Sequence, residues 1–186
     1  MMKKLWSILL LAGGKSSRTT IPKQLFVVEQ KPLICWQIEK CLEYHPGNVY
    51  VVLGANYSSI RGHLTPYPVK IIHNSSWDKG MISSVKIGLE SIQENQVFIH
   101  PVDVPIPGKS VFTKLLEYQC AVPTYQGKKG HPVLISKRYY QDLISSAQRL
   151  DHWINQSNVF QLVDTDDPDI LLNLNTDREL KQWQDR

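Results

Sequence analysis

Few cysteines, no long apolar run and no strong charge of one sign mark this 186-residue chain, and each lack removes a class of function. The three cysteines, Cys35, Cys41 and Cys120, form no CxxC pair and no zinc spacing. An odd, low count fits reduced thiols and a cytoplasmic setting over a disulfide scaffold. No apolar stretch approaches the length that crosses a bilayer, so no membrane role is expected. Net charge is only +4, and the cations are dispersed, which argues against a nucleic-acid partner. No HxxxH pair, no GxxxxGK[ST] loop and no GxGxxG fingerprint is present. Repeats, low-complexity tracts and linker-like segments are absent too. A single domain over residues 1–186 is the expectation.

What the chain does have is concentrated near its start, in KKLWSILLLAGGKSSRTTIPK from Lys3 to Lys23. Its opening imitates a signal peptide, with a basic start, a short apolar core and small residues. The core is too short, however, and a cationic loop follows where a cleavage site would lie. Ser7–Leu11 reads instead as a buried strand. Glycines directly after such a strand let the backbone approach a ligand with its N–H groups outward. Lys15, Arg18 and Lys23 on the same loop favour a polyanion, with Arg18 as a bidentate fork and Lys23 as a mobile point charge.

Apolar runs then alternate with amphipathic stretches. Further strands are expected near Val49–Leu53, Val69–Ile72, Val97–Ile99, Ala121–Thr124, Pro132–Ile135 and Val159–Val163. Helices are expected near Leu33–Leu42, Met81–Ile92, Ser110–Tyr118, Arg138–Gln148, Asp151–Ser157 and Thr176–Gln184. Consecutive apolar residues in the strands imply that both sheet faces are covered. Strand–helix alternation implies right-handed crossovers, hence an α/β three-layer sandwich with a mostly parallel sheet. In such sheets, ligands sit beyond the carboxyl ends of the strands.

Four more segments fall at such ends. Asp103, in the stiff turn Pro101-Val102-Asp103-Val104-Pro105, is placed to bind a hard cation such as Mg²⁺, or else to satisfy turn N–H groups. Asn74 ends a strand, and Gly80–Ser84 open a helix whose first N–H groups and hydroxyls can meet an anion or simply be capped. Gln126–Val133 is a basic, glycine-flanked hairpin or crossover loop able to hold a second anionic substrate. Leu172–Asn175 alternates like a short strand with Asn173 and Asn175 on one face, followed by Thr176 as a helix cap. The amide oxygens could ligate Mg²⁺. The acidic group Asp164, Asp166, Asp167 and Asp169 reads as a solvated loop, since Pro168 and the missing glycine do not fit an EF-hand.

In order and spacing these segments resemble the MobA-like NTP transferase family, which includes molybdenum cofactor guanylyltransferases and cytidylyltransferases. Leu11-Ala12-Gly13-Gly14-Lys15-Ser16-Ser17-Arg18, continuing to Pro22-Lys23, matches the family's LA[AG]GxSxRMGxPK. The resemblance implies a Rossmann-like, nucleotide-diphospho-sugar transferase (GT-A-like) fold. It also implies transfer of a CMP or GMP group from CTP or GTP to a phosphorylated acceptor, molybdopterin first among the candidates, with Mg²⁺ as cofactor and pyrophosphate as product. Arg18 and Lys23 would hold the triphosphate. The stretch Leu11, Ala12, Gly13, Gly14, Lys15 and Ser16 would pack against base and phosphates. Asp103 would ligate Mg²⁺, with Asn175 as a second oxygen donor. Gly54, Asn74, Ser83 and Ser84 would lie near base and ribose, and Gly130, His131 and Pro132 would face the acceptor.

Subtype features point both ways. Leu-Ala-Gly-Gly and Asn173-Leu174-Asn175-Thr176 resemble the guanylyl branch. Gly80-Met81 through Gly88-Leu89 and Gly130-His131-Pro132-Val133 resemble the cytidylyl branch, which carries DxDT where this chain has Asn173 and Asn175. Thr19-Thr20 replaces the family's Met-Gly, and Asp177-Arg178 replaces its Pro-Glu. A β-branched residue resists positive φ, so the loop is expected to sit differently. Three alternatives follow: a non-catalytic nucleotide- or cofactor-binding protein that serves a molybdoenzyme, a sugar- or alditol-phosphate nucleotidyltransferase, and a GT-A-like glycosyltransferase. The last lacks its DxD, because prolines flank Asp103. A monomer is the expected state.

Overall fold

The computed structural model describes residues 6–146 and 148–185. Lys3–Leu5 of the opening stretch and Ala147 of the expected helix Arg138–Gln148 lie outside them. The strands are β1 (Trp6–Ala12), β2 (Val27–Val28), β3 (Lys31–Pro32), β4 (Asn48–Leu53), β5 (Lys70–His73), β6 (Gln96–Pro101), β7 (Ala121–Tyr125), β8 (Lys128–Lys129), β9 (Val133–Ser136) and β10 (Gln161–Asp164). The α-helices are α1 (Leu33–Glu43), α2 (Tyr57–Arg61), α3 (Met81–Ser91), α4 (Lys109–Leu115), α5 (Tyr140–Ser145), α6 (Leu150–Gln156) and α7 (Asp177–Gln184).

The main sheet runs β10-β7-β9-β6-β1-β4-β5, with β8 hydrogen-bonded to β7. β1 lies parallel to both β4 and β6, β5 is parallel to β4, and β10 is parallel to β7. Only β9 runs against its neighbours β6 and β7, apart from the short β7–β8 hairpin. The mostly parallel three-layer sandwich is therefore borne out.

Its two covered faces explain the apolar runs. Successive strand side chains point to opposite faces. Ile8, Leu10 and Ala12 of β1 join a core with Ile34 and Ile38 of α1, Ile60 of α2 and Phe112 of α4. Leu9 and Leu11 enter the opposite core with Val85 and Leu89 of α3, Leu143 of α5 and Trp153 of α6. Burying each such side chain stabilises the fold by roughly 1.5–3 kcal/mol relative to exposure. A third, smaller cluster joins Val28, Leu33, Leu174 and Leu180, and fixes α7 against the start of α1.

Two expectations need correction. Leu172–Asn175 is not a strand. Leu174 is buried and its N–H donates to the Asp103 carbonyl (2.7 Å), but among the described residues this is the segment's only backbone hydrogen bond to a distant part of the chain. Alternation therefore reflects one anchored leucine between exposed Asn173 and half-buried Asn175, without a ladder. The expected helix Arg138–Gln148 is split into a 3₁₀ turn at Lys137–Tyr139 and the short α5. Of the two forms expected for the basic Gln126–Val133 segment, its first part takes the hairpin: Gln126 and Gly127, at positive φ, turn β7 into β8.

Candidate functional site

β1 stands between β4 and β6, so the crevice beyond its carboxyl end is the topological switch point of the sheet. The loop after β1, the turn after β6, the end of β5 and the start of α3 all open there. A cleft of about 270 Å³ lies among them, lined by Gly13, Gly14, Lys15, Lys23, Ser84 and Asp103, with Trp77 on its wall.

The loop after β1 is held from inside. Gln24, almost wholly buried, donates to the carbonyls of Ala12 (2.9 Å) and Gly14 (3.1 Å). Ser16 Oγ donates to Gln24 Oε1 (3.0 Å) and accepts from the Lys23 N–H (3.1 Å). The glycines divide their work. A Cβ on Gly54 would lie 2.5 Å from the Gly13 carbonyl oxygen, so these two backbones touch because neither carries a side chain. Gly14 has open space instead and is exposed to the cleft. The left-handed residue of the loop is Ser16 (φ 60°), so Thr19 and Thr20 escape positive φ. Thr20 instead donates through N–H and Oγ1 to Asp177 Oδ2 (3.3 and 2.9 Å), which ties the loop to the start of α7.

The Asp103 turn is equally fixed. Buried Gln37 donates to the carbonyls of Val102 (2.9 Å) and Val104 (2.6 Å), and its oxygen accepts from the Ile106 N–H (2.9 Å). His100 Nε2 lies 2.7 Å from the Val104 carbonyl and donates to it, while burial pushes its pKa down to about 3 and keeps the ring neutral. Asp103 thus projects from a rigid base. Lys23 Nζ donates to Asp103 Oδ2 (2.8 Å) and to Asn175 Oδ1 (2.9 Å). Arg18 donates to the same Asn175 oxygen (2.9 Å). Four residues from three distant segments therefore form one chain of contacts, of which Lys23 and Asp103 line the cleft.

Asn74 and Ser83 do not face this cleft directly. Asn74 is buried, donates to Ser83 Oγ (2.8 Å) and Ser84 Oγ (3.0 Å), and accepts from the Ser76 N–H (3.0 Å). It fixes the start of α3, from which Ser84 reaches the cleft wall. Gly54 borders a separate shallow depression with Tyr57, His73 and Trp77.

Beyond Gly80 and Met81, which line both spaces, opens a larger cavity of about 620 Å³. Its apolar wall is Met81, Ile82, Val122, Val133, Leu150 and Ile154, and Lys79, Lys129 and Arg149 are its cations. Gly130 and His131 line it as well, and Pro132 follows through a cis peptide. Burial lowers the His131 pKa, and the Asp103 carboxylate pulls it the other way, which relates the two spaces electrostatically. A Cβ on Gly130 would meet the Ile170 carbonyl at 2.5 Å.

The acidic loop serves the fold. Asp167 accepts from the Gly108 and Asp169 N–H groups (2.8 and 3.0 Å). Among the described residues no group of three His, Cys, Asp or Glu side chains could hold a metal by itself. Gln24, Gln37 and Trp77 are the site residues that sequence patterns missed, since none belongs to a charged or glycine-rich motif.

The MobA-like NTP transferase domain model matches residues 8–160. The chain belongs to the MobA-like NTP transferase family. It is thus an enzyme of the nucleotidyltransferase class. The molybdenum cofactor cytidylyltransferase of Escherichia coli K12 is 26% identical over 133 residues, 69% of each chain. The probable molybdenum cofactor guanylyltransferase of Bacillus cereus ATCC 10987 is 28% identical, over 96% of each chain. A nucleotidyl transferase from Methanothermobacter shares the fold with a TM-score of 0.85 at 15% identity, over 97% of this chain and 96% of its own. Among the described residues no helix is long and apolar enough to cross a membrane.

Proposed function

We propose that this enzyme transfers the nucleotidyl group of CTP or GTP to the phosphate of molybdopterin, with release of pyrophosphate. The observation that carries the reading is the Arg18–Asn175–Lys23–Asp103 chain, whose Lys23 and Asp103 line a cleft that adjoins a second, larger cavity. The smaller cleft would take the nucleotide, with its phosphates over Gly14 and beside Lys15, Lys23 and Arg18. The larger cavity would take the acceptor. Its apolar wall suits a planar ring better than a polyhydroxyl chain, which favours the pterin over a sugar phosphate. Its cations, Lys79, Lys129 and Arg149, suit an anionic substrate.

Chemistry at phosphorus leaves the protein mainly positioning and charge neutralisation. Lys23 and Arg18 would neutralise the leaving pyrophosphate, and the rigid loop would fix the α-phosphorus in line with the acceptor oxygen. Asp103 would hold Mg²⁺. A single carboxylate fits this ion, which takes few protein ligands and completes its shell with water and phosphate oxygens. The bound ion would draw charge from the phosphates. Function in the cytoplasm and as a monomer belongs to the same reading.

The test is pyrophosphate release from CTP and GTP, each with molybdopterin and Mg²⁺. Release with one of the two supports transfer and names the branch. Nucleotide binding without release in either case supports a non-catalytic binding protein instead.

A further inference from the structure

Two cations share one neutral oxygen at this site. Arg18 and Lys23 each donate at 2.9 Å to Asn175 Oδ1, so their nitrogens lie no further apart than twice that distance. Like charges so close repel, and a carboxylate would be the ordinary counter-ion. Among the described residues, the only carboxylate bonded directly to either is Asp103, on Lys23. Glu179 is turned to the Thr176 hydroxyl and the Asn175 N–H (2.9 Å each), and its pKa is held low by the Thr176 bond first and by Arg18 through space last. The Asn175 side chain is not needed for that cap, because Thr176 Oγ1 accepts the Glu179 N–H itself (3.2 Å).

We propose that Asn175 is a positioning residue that holds Arg18 and Lys23 ready and surrenders them to the incoming triphosphate. This deepens the nucleotide-site reading and rests on it. An amide oxygen orients both donors, yet binds them far less tightly than a carboxylate would. The excess positive charge of the trio Arg18, Lys23 and Asp103 remains available to phosphate. Leu174, buried beneath and bonded to the Asp103 carbonyl, fixes the backbone that carries the amide. The role differs from metal ligation, in which the same oxygen would face the ion and turn away from the cations.

The test is calorimetric titration of CTP and GTP, with and without Mg²⁺, and of Mn²⁺ alone, into the wild type, Asn175→Asp and Asn175→Ala. Melting midpoints of both variants should stay near wild type, since the α7 cap is untouched. Asn175→Asp should weaken metal-free nucleotide binding by about tenfold or more, and Asn175→Ala by about threefold. Asn175→Asp should also gain Mn²⁺ binding without nucleotide, because it adds a second carboxylate beside Asp103. Metal-free affinity unchanged in Asn175→Asp would overturn the proposal. So would nucleotide binding with Mg²⁺ that survives in Asn175→Asp but collapses in Asn175→Ala, which is the pattern of a metal ligand. A wild type that binds no nucleotide would sink the nucleotide site itself, together with the inference. Intact Asn175 effects without pyrophosphate release would sink only the transfer reaction.

Discussion

The two adjoining spaces at the strand ends are built by different means. Around the smaller cleft, buried polar side chains hold the surrounding segments: Gln24 the Ala12 and Gly14 carbonyls, Gln37 the carbonyls of the Asp103 turn, Asn74 the Ser83 and Ser84 hydroxyls at the start of α3. Buried and bonded, such groups allow one loop geometry. The larger cavity has an apolar wall, and its cations lean on exposed partners, Lys129 on Asn155 (2.6 Å) and Arg149 on Asp151 (3.1 Å). In the proposed function a triphosphate would need a fixed cradle, whereas an acceptor surface could be retuned by changing rim residues without disturbing the fold.

The comparison can be broken most sharply at Lys23. Lys23→Ala should weaken nucleotide binding by about 1.5–3 kcal/mol, because a charge-assisted contact is lost. Titration calorimetry would read it, and unchanged affinity would remove Lys23 from the triphosphate site. The rigidity of the cradle is tested by Gly54→Ala, whose Cβ would press on the Gly13 oxygen at 2.5 Å and on Trp77 at 2.6 Å. It should cost about 1–3 kcal/mol in chemical denaturation.

Next comes acid. His100 is buried and neutral with its pKa near 3, well below the unfolded value of 6.5. The unfolded chain therefore binds the extra proton between those limits, so stability is full above pH 6.5 and is lost as pH falls. The slope approaches about 1.4 kcal/mol per pH unit, and His131 adds in the same direction. His100→Gln should flatten the denaturation profile between pH 6.5 and 4. The smallest effect belongs to the rim. Lys129→Ala should raise the acceptor KM by roughly twofold to fivefold and leave nucleotide affinity alone. A change in nucleotide affinity instead would merge the two spaces into one.

Much of this was legible in the chain. The consecutive apolar residues of β1, β4 and β6 announced a sheet covered on both faces, and Gly-Gly followed by spaced cations marked the loop that opens on the smaller cleft. What escaped has physical reasons. Leu172–Asn175 alternates because Leu174 alone is anchored, and alternation cannot reveal whether a neighbouring strand exists. Thr19-Thr20 pointed to a displaced loop, but the strained residue is Ser16, and Asp177 receives Thr20 from across the chain. Gln24 and Gln37 carry no motif, since a buttress is defined by the carbonyls it meets, and those meet it only in the fold.

The most direct measurement is thermal stability with CTP, GTP, ATP and UTP, each with and without Mg²⁺. A ligand of the native state raises the midpoint by mass action, and no acceptor is required. A Mg²⁺-dependent rise with CTP or GTP, absent in Lys23→Ala, is the predicted result. No rise with any of the four at millimolar concentration would contradict the nucleotide site.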